Sequence, residues 1–179
     1  TLKNEFIPQF VLPANVSIAC ESYDSNIEFG TMTNISTGCN ASYSVSFLDS
    51  GDFNASCKDG VEIQRAWTIT DICGNTNTDF QIISLTDNQP PEAPDAEANL
   101  TFDCFDEISD PNDLFAIDNC ANNPIQGILS TSDDGNYGTV FSPRNILRTW
   151  TFTDACGNAS TANQLITISD NSVINLPAS

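Results

Sequence analysis

The sequence predicts an all-β protein made of two tandem antiparallel β-sandwich domains. Three observations support this prediction. The second half of the chain repeats the first, apolar and polar residues alternate along two long segments, and Thr, Asn and turn residues recur at short intervals. With 179 residues, 40% of them hydrophobic, the chain has enough apolar side chains for two small packed cores.

The internal repeat defines the domain organisation. Arg65–Asn75 reads Arg-Ala-Trp-Thr-Ile-Thr-Asp-Ile-Cys-Gly-Asn, and 83 residues later Arg148–Asn158 reads Arg-Thr-Trp-Thr-Phe-Thr-Asp-Ala-Cys-Gly-Asn. A repeat of this length is too long for a solenoid and is typical of a small sandwich domain. We therefore expect one domain over residues 1–88 and a second over residues 89–172.

A proline-containing linker separates the two predicted domains. Pro90 and Pro91 favour an extended backbone and cannot donate a ladder hydrogen bond, so they end the preceding strand. Residues 173–179 contain Leu-Pro-Ala, as residues 12–14 do, and are predicted to begin a further repeat of a longer parent protein.

The central strand of each domain is predicted from an alternation of period two. The residues that share its inner face are Ile63, Arg65, Trp67 and Ile69 in the first domain and Ile146, Arg148, Trp150 and Phe152 in the second. Both tryptophans are predicted to anchor a core between two sheets. Each arginine is expected at the margin of its sheet with a carboxylate partner, because a buried guanidinium is tolerated only when it is paired.

The motif Asp-x-Cys-Gly-Asn follows each central strand. Its residue types predict a hairpin turn with glycine in the left-handed position. The strands that return from these turns carry apolar residues at alternate positions, namely Ile83, Leu85, Ile166 and Ile168. The two motifs therefore predict one long hairpin in each domain.

Seven cysteines occur without a histidine and without a Cys-x-x-Cys pair. This pattern indicates disulfides rather than a zinc site, and hence secretion into an oxidising, extracellular compartment. Disulfides need Cα atoms within about 7 Å, so cysteines expected at the same end of a sandwich are paired first. The favoured pairs are Cys39–Cys73, Cys120–Cys156 and Cys20–Cys57, with Cys104 unpaired. Pairing of Cys20 with Cys39 and of Cys104 with Cys120 is the open alternative.

Composition excludes several classes of function. With 24 acidic and 5 basic residues, the net charge of −19 leaves no basic stripe for nucleic acid and repels an anionic membrane. No apolar run approaches the ~20 residues that span a bilayer, so direct membrane insertion is not expected. Without histidine there is no Ser-His-Asp or Cys-His centre. No carboxylate pair is placed as in a glycosidase, so no catalytic residue is assigned and no enzyme activity is predicted.

One candidate metal site emerges from the predicted topology. Three acidic segments are expected to meet at one end of the second domain, the end beside the linker. Their oxygen-bearing residues are Asp87, Asn88, Asp118, Asn119, Asp154 and Asn158. Calcium takes about six to eight such oxygens, so these residues are a candidate interdomain calcium site and calcium is the only cofactor considered. The alternative is that they cap their own turns.

The segment Arg148–Asn158, together with the upstream Asp118-Asn119-Cys120, resembles the Ig-like, HYR-like repeats of large bacterial cell-surface adhesins. These include gliding-motility adhesins that the type IX secretion system exports. The resemblance covers both repeats and implies Ig-like β-sandwiches, many tandem copies, surface display and an adhesive or stalk function. The first repeat has Thr37-Gly38-Cys39 where the pattern has Asp-Asn-Cys, so a calcium site is not expected there.

The function predicted from these observations is that of a structural or adhesive repeat segment in an extended, secreted cell-surface protein. Its expected partners are the neighbouring repeats of the same chain. A second hypothesis is a module that binds a surface glycan or protein through its loops, with Tyr23-Asp24-Ser25 and Asn136-Tyr137-Gly138 as candidates. A third is a subunit of a surface filament, joined through terminal strands or Cys104.

Overall fold

A computed structural model of the chain describes residues 6–39, 42–55, 57–103, 108–121, 123–139 and 141–170. Strands and loops make up nearly all of these residues, and the all-β prediction is confirmed. The one helical element among them is a single 3₁₀ turn at Cys20–Ser22. The chain separates into two compact units, Thr1–Asn88 and Gln89–Ser179, which are described one at a time below.

The first unit contains a four-stranded and a two-stranded sheet. Its strands are β1 (Gln9–Val11), β2 (Val16–Ala19), β3 (Thr33–Ser36), β4 (Tyr43–Ser50), β5 (Glu62–Asp71) and β6 (Thr76–Thr86). The larger sheet has the order β2-β6-β5-β4, and the smaller one pairs β1 with β3. The long hairpin predicted from the Asp-x-Cys-Gly-Asn motif is formed by β5 and β6.

The second unit repeats this plan. Its strands are β7 (Leu100–Phe102), β8 (Phe115–Ala116), β9 (Ile125–Gln126), β10 (Ile128–Asp133), β11 (Arg144–Thr153) and β12 (Ala159–Ile168). The larger sheet has the order β10-β11-β12-β7, and β8 pairs with β9. In both units, therefore, the central hairpin lies between a short edge strand on one side and a longer edge strand on the other.

One strand pair in each unit is parallel, which the prediction of antiparallel sheets did not include. β2 runs parallel to β6, and β7 runs parallel to β12. Both pairs join the start of a unit to its end. Their relative direction is set by the path of the whole unit, so no local residue pattern reports it.

The predicted alternation along β5 and β11 is confirmed. Every second residue is buried from Ile63 to Asp71 and from Ile146 to Phe152, including Arg65, Arg148 and both tryptophans. In the first unit the core continues through Ile83 and Leu85 of β6, which pack with Ile63. Most of the buried hydrophobic residues lie on these inner faces, and their burial removes apolar area from water.

In the second unit the small sheet covers the large one. Ala116 of β8 is fully buried against Trp150 and Phe152, and Ile125 of β9 packs on the same cluster. Gly127 lies where a Cβ atom would be 2.6 Å from the ring of Phe152. Only glycine leaves room for that ring, so the two sheets can approach closely at this position.

Polar side chains recur with the repeat as well. Asn15 Oδ1 accepts the peptide N–H of Ile82 at 2.9 Å, and Asn99 Oδ1 accepts that of Leu165 at 2.8 Å. Each asparagine precedes the first strand of its larger sheet and bonds to the strand beside it. The two units thus share this asparagine hydrogen bond as well as the repeated sequence.

Candidate functional site

The most tightly connected polar group of the first unit is the guanidinium of Arg65. Its Nε and Nη2 atoms donate to the two carboxylate oxygens of Asp49 at 2.7 and 2.8 Å. Nη1 donates to the carbonyl oxygen of Ile27. Arg65 is completely buried and the Asp49 side chain is 3% exposed. The predicted carboxylate partner therefore exists, and the pair is buried on the inner face of the sheet between its edge strand β4 and the next strand, β5.

Aromatic rings enclose this ion pair. The guanidinium carbon of Arg65 lies 4.1 Å from the ring centroid of Phe47, 5.1 Å from that of Phe29 and 6.0 Å from that of Trp67. Cation–π attraction adds to the charge pairing, because water is excluded from both groups. The guanidinium thus replaces its lost hydration with a carboxylate, a carbonyl and three ring faces.

Tyr23 closes the other side of the network. Its hydroxyl donates to Asp49 Oδ2 at 2.7 Å, and its ring stacks on those of Phe29 and Phe53. Burial and the hydrogen bond to Asp49 raise the pKa of Tyr23 above its ordinary value. Burial also acts to raise the pKa of Asp49, but the hydrogen bonds from Arg65 and Tyr23 outweigh it, so that this pKa is lowered. The network therefore holds a charged carboxylate and a neutral phenol.

An open cleft of about 500 Å³ lies beside this network. We call it the aromatic cleft; it is lined by Tyr23, Ser25, Asn26, Phe47, Leu48, Asp49 and Phe53. Leu48 is 75% exposed and Phe53 is 43% exposed. The candidate loop at Tyr23 therefore forms one wall of the cleft instead of projecting from the surface. The other candidate loop does project, since Tyr137 is 92% exposed.

In the second unit, Arg148 lies in a different setting. Its Nη1 donates to Gln164 Oε1 at 3.2 Å, and its Nη2 donates to the carbonyl of Ser109. Gln164 in turn donates to the carbonyl of Ala98 at 2.9 Å. Among the described residues these neutral acceptors stand where the first unit uses Asp49, so the predicted carboxylate partner of Arg148 is not seen there.

The Asp-x-Cys-Gly-Asn turns are capped by their own aspartates. Asp71 Oδ1 accepts the peptide N–H groups of Cys73 and Asn75, both at 2.9 Å, and Oδ2 accepts the Asn75 amide at 2.9 Å. The Asn75 amide is the main cause that lowers the pKa of Asp71. Gly74 has φ 85°, which confirms the left-handed glycine of the predicted turn.

In the second Asp-x-Cys-Gly-Asn turn, two of the six candidate calcium ligands, Asp154 and Asn158, bond to each other. Asp154 Oδ1 accepts the peptide N–H of Asn158 at 2.8 Å, and Oδ2 accepts its side-chain amide at 2.9 Å. This is the same cap as at Asp71, so Asp154 and Asn158 have a structural role that needs no metal ion. The alternative interpretation, in which these residues cap their own turn, therefore fits Asp154 and Asn158.

Asp118 differs from Asp154, because one of its carboxylate oxygens makes no hydrogen bond among the described residues. The residue is 6% exposed, and Oδ2 accepts the peptide N–H of Cys120 at 2.8 Å. Oδ1 is buried and has no hydrogen-bond partner among the described residues. The neighbouring Ile117 accepts the peptide N–H of Glu92 at 2.7 Å, so the segment after the linker prolines runs beside this loop. A buried carboxylate oxygen without a protein donor calls for a partner such as a water molecule or an ion.

The three other candidate ligands are placed as follows. Asp87, in the first unit, is buried, while Asn88 and Asn119 are exposed. The peptide N–H of Asp87 donates to Asp59 Oδ1 at 3.3 Å. Of the six candidate ligands, Asp118 is therefore the one whose carboxylate best suits a bound cation.

Cys39 and Cys73 form a disulfide with a Cα–Cα distance of 6.0 Å. This excludes the alternative pairing of Cys20 with Cys39. Cys20, Cys57, Cys120 and Cys156 are also disulfide-bonded. Cys104, predicted to be unpaired, lies outside the described residues.

Sequence reasoning did not single out Asp49, Gln81 or Gln164. Gln81 is buried, accepts the Trp67 indole N–H at 3.0 Å and donates to the carbonyls of Ala14 and Phe29. A signal was available, since both glutamines lie at corresponding inward positions of the hairpin strands. A polar residue on an apolar strand face predicts a buried hydrogen-bond network.

Comparison with known proteins bears on the second unit directly. Residues 92–168 match the family model described as an HYR-like domain with 4 cysteines. The second unit has three cysteines in this range, Cys104, Cys120 and Cys156, whereas the first unit has four. The second unit is therefore similar to HYR-like domains over residues 92–168. No curated protein sequence matches the chain.

Two solved structures are similar to this chain over most of its length. One is Drosophila N-cadherin EC1-4, with 11% identity and a TM-score of 0.43. That match covers 90% of this chain and 49% of the other, so this chain spans about half of that fragment. The other is human mucin-like protocadherin EC1-2, with 8% identity, a TM-score of 0.37 and coverage of 89% and 96%. Because both TM-scores lie below 0.5, neither structure informs the function of this chain.

Among the described residues, no helix has the length and hydropathy needed to cross a bilayer.

Proposed function

We propose that this chain is a structural and adhesive repeat segment of an extended protein on a bacterial cell surface, such as a stalk or a gliding-motility adhesin exported by type IX secretion. The tandem repeat at an offset of 83 residues, one copy of which matches the HYR-like family, carries the proposal. Because the other copy has the same turn cap and central hairpin, we infer that it is a domain of the same type.

Two physical properties suit an extended, extracellular array. Disulfides stabilise small domains by restricting their unfolded chains. A net charge of −19 makes successive domains repel one another, which keeps an array soluble and extended. The polar network around Arg65 and Asp49 has no group left to activate a substrate, so we infer a non-catalytic role.

Surface display is tested with intact cells of the source organism. An antibody against the 179-residue chain is expected to label unpermeabilised cells, and brief treatment with external protease is expected to remove the label. A cytoplasmic protein of the same cells is the matched control. Labelling that appears only after permeabilisation would contradict the proposal.

We also propose that Asp118 ligates a calcium ion at the linker end of the second unit. The support is its buried Oδ1 atom, which has no hydrogen-bond partner among the described residues. The remaining oxygens would come from the acidic segments predicted beside the linker, since calcium needs about six to eight. Asp154 would contribute to the site through the turn that it caps, rather than as a free carboxylate.

This calcium site predicts a metal-dependent melting temperature. Millimolar calcium should raise the melting temperature of the oxidised chain relative to excess EDTA, because an ion that binds only the folded state stabilises it. Asp118→Asn should abolish this shift. Asp71→Asn is the matched control: Asp71 is also buried, but all its oxygens are hydrogen-bonded, so the calcium shift should persist. An equal shift in Asp118→Asn and the parent would overturn the proposal.

A further inference from the structure

We propose that the free edge of β4 is a docking site for an extended basic peptide segment of a partner protein. The peptide would add a strand beside β4 and place one apolar side chain in the aromatic cleft. This inference deepens the adhesive part of the proposed function and rests on it for the partner's place outside the cell.

The edge of β4 is open to strand pairing. β4 is the last strand of its sheet, and β5 is its one partner among the described residues. On an edge strand, alternate residues direct their N–H and C=O groups away from the sheet. These groups are the template to which an extended peptide adds in β-augmentation.

The sequence of β4 does not protect this edge. Its eight residues, Tyr-Ser-Val-Ser-Phe-Leu-Asp-Ser, include neither proline nor lysine, which natural proteins use to block edge pairing. Its one charged residue, Asp49, points inward, which can protect an edge, but here Arg65 neutralises the charge. Leu48 instead points outward and is 75% exposed. A long, uncharged and partly apolar edge is the type of surface that recruits a further strand.

The aromatic cleft adds specificity at the same edge. Phe47, Leu48 and Asp49 of β4 form one side of it, and Tyr23 and Phe53 contribute rings from neighbouring loops. Its volume of about 500 Å³ lies in the range of protein ligand sites, which is roughly 300–1,000 Å³. In β-augmentation, backbone bonds supply affinity and such a pocket selects one side chain of the added strand.

Charge favours a basic peptide. Asp24 and Asp52 are exposed in the loops that supply Tyr23 and Phe53. The nearest cation of that loop, Lys58, donates its Nζ to the carbonyl of Phe53. With a net charge of −19, the chain attracts cationic segments and repels anionic ones, including a second copy of itself.

The test uses the whole oxidised chain and a fluorescein-labelled peptide, Lys-Val-Lys-Phe-Lys-Val-Lys, at ~0.15 M salt, where distant charges are screened. Binding is measured by fluorescence anisotropy, and backbone amide NMR locates it. We expect saturable binding with shifts in the amides of Val45–Asp49. Leu48→Ser should weaken binding about tenfold, as for an apolar side chain central to an interface.

Matched controls isolate each element of the proposal. Ile128 is also 75% exposed and also lies on an edge strand, β10, so Ile128→Ser should leave the affinity unchanged. The same peptide N-methylated at every residue keeps its charge but has no peptide N–H to donate to a strand, and should not bind. The peptide with Glu in place of Lys should not bind either.

Several results would overturn the docking site. These are equal weakening by Ile128→Ser, equal binding of the N-methylated peptide, or no saturable binding. Self-association of the chain through β4, seen by sedimentation, would replace the partner peptide with a second copy. Binding of maltoheptaose or cellohexaose in the cleft, with no strand pairing, would replace it with a glycan. None of these outcomes alters the antibody labelling of intact cells, so the proposed function is judged separately.

Discussion

Replacing Asp49 with alanine is expected to destabilise the first unit by about 3–5 kcal/mol, the usual loss when one partner of a buried ion pair is removed. The variant leaves the Arg65 guanidinium buried without its carboxylate, and Tyr23 loses its hydrogen-bond acceptor. Urea unfolding in a Trp150→Phe background measures this loss, because Trp67 then reports on the first unit alone. The parent for comparison is Trp150→Phe itself.

Two controls separate charge burial from the general effect of a substitution. Asp133→Ala, measured in a Trp67→Phe background in which Trp150 reports on the second unit, removes an ion pair with Arg144 whose side chains are both 34% exposed, so little stability should change. The double variant Asp49→Leu/Arg65→Met removes both buried charges and should recover most of the stability lost in Asp49→Ala. If Asp49→Ala costs less than about 1 kcal/mol, the pair is not a determinant of the fold.

Acid provides an independent measurement of the same pair. Because the pKa of Asp49 is lowered in the folded state, its contribution is present above the unfolded pKa near 4. It is lost as the pH falls from there through the lowered folded pKa. The stability difference between the parent and Asp49→Ala should therefore shrink in strong acid.

The second large effect is expected from the Cys39–Cys73 disulfide. Replacing both cysteines with alanine should destabilise the first unit by about 4 kcal/mol, because the crosslink closes a chain segment of 34 residues in the unfolded state. Hydrogen-exchange mass spectrometry measures the loss in peptides of each unit separately. Peptides from β5 and β6 should exchange much faster, since these strands form the hairpin that the disulfide anchors.

The second unit provides the internal control for this experiment. Its peptides from β11 and β12 should keep their protection, because these strands belong to a separate compact unit. Equal loss of protection in both units would mean that the disulfide acts beyond its own domain. A loss below about 1 kcal/mol would mean that strain in the folded state offsets the loop entropy.

Local patterns in the sequence were enough to predict the central hairpins. Alternation placed Trp67 and Trp150 in the cores, and the Asp-x-Cys-Gly-Asn motif predicted the turns with their left-handed glycines. These features depend on neighbours within one or two strands, and such short-range geometry is encoded residue by residue. The cap of Asp154 was likewise considered as an alternative to a metal ligand.

Long-range relations were not predictable in the same way. The parallel pairing of β2 with β6 depends on the path of the whole unit. Arg65 was expected to have a carboxylate partner, but only the pairing of β4 with β5 shows that it is Asp49, directly opposite on the neighbouring strand. The aromatic cleft joins a loop near Tyr23 to a strand and a further loop near Phe53.

By itself, the sequence determined that this is an acidic, disulfide-bonded, all-β protein with a repeated domain, because composition and periodicity report directly on burial and compartment. Only the tertiary structure decided which carboxylate neutralises Arg65, which strand is left as an open edge and which buried oxygen, that of Asp118, has no donor. All three depend on residues far apart in the chain, and burial gives the ion pair and the Asp118 oxygen their energetic weight.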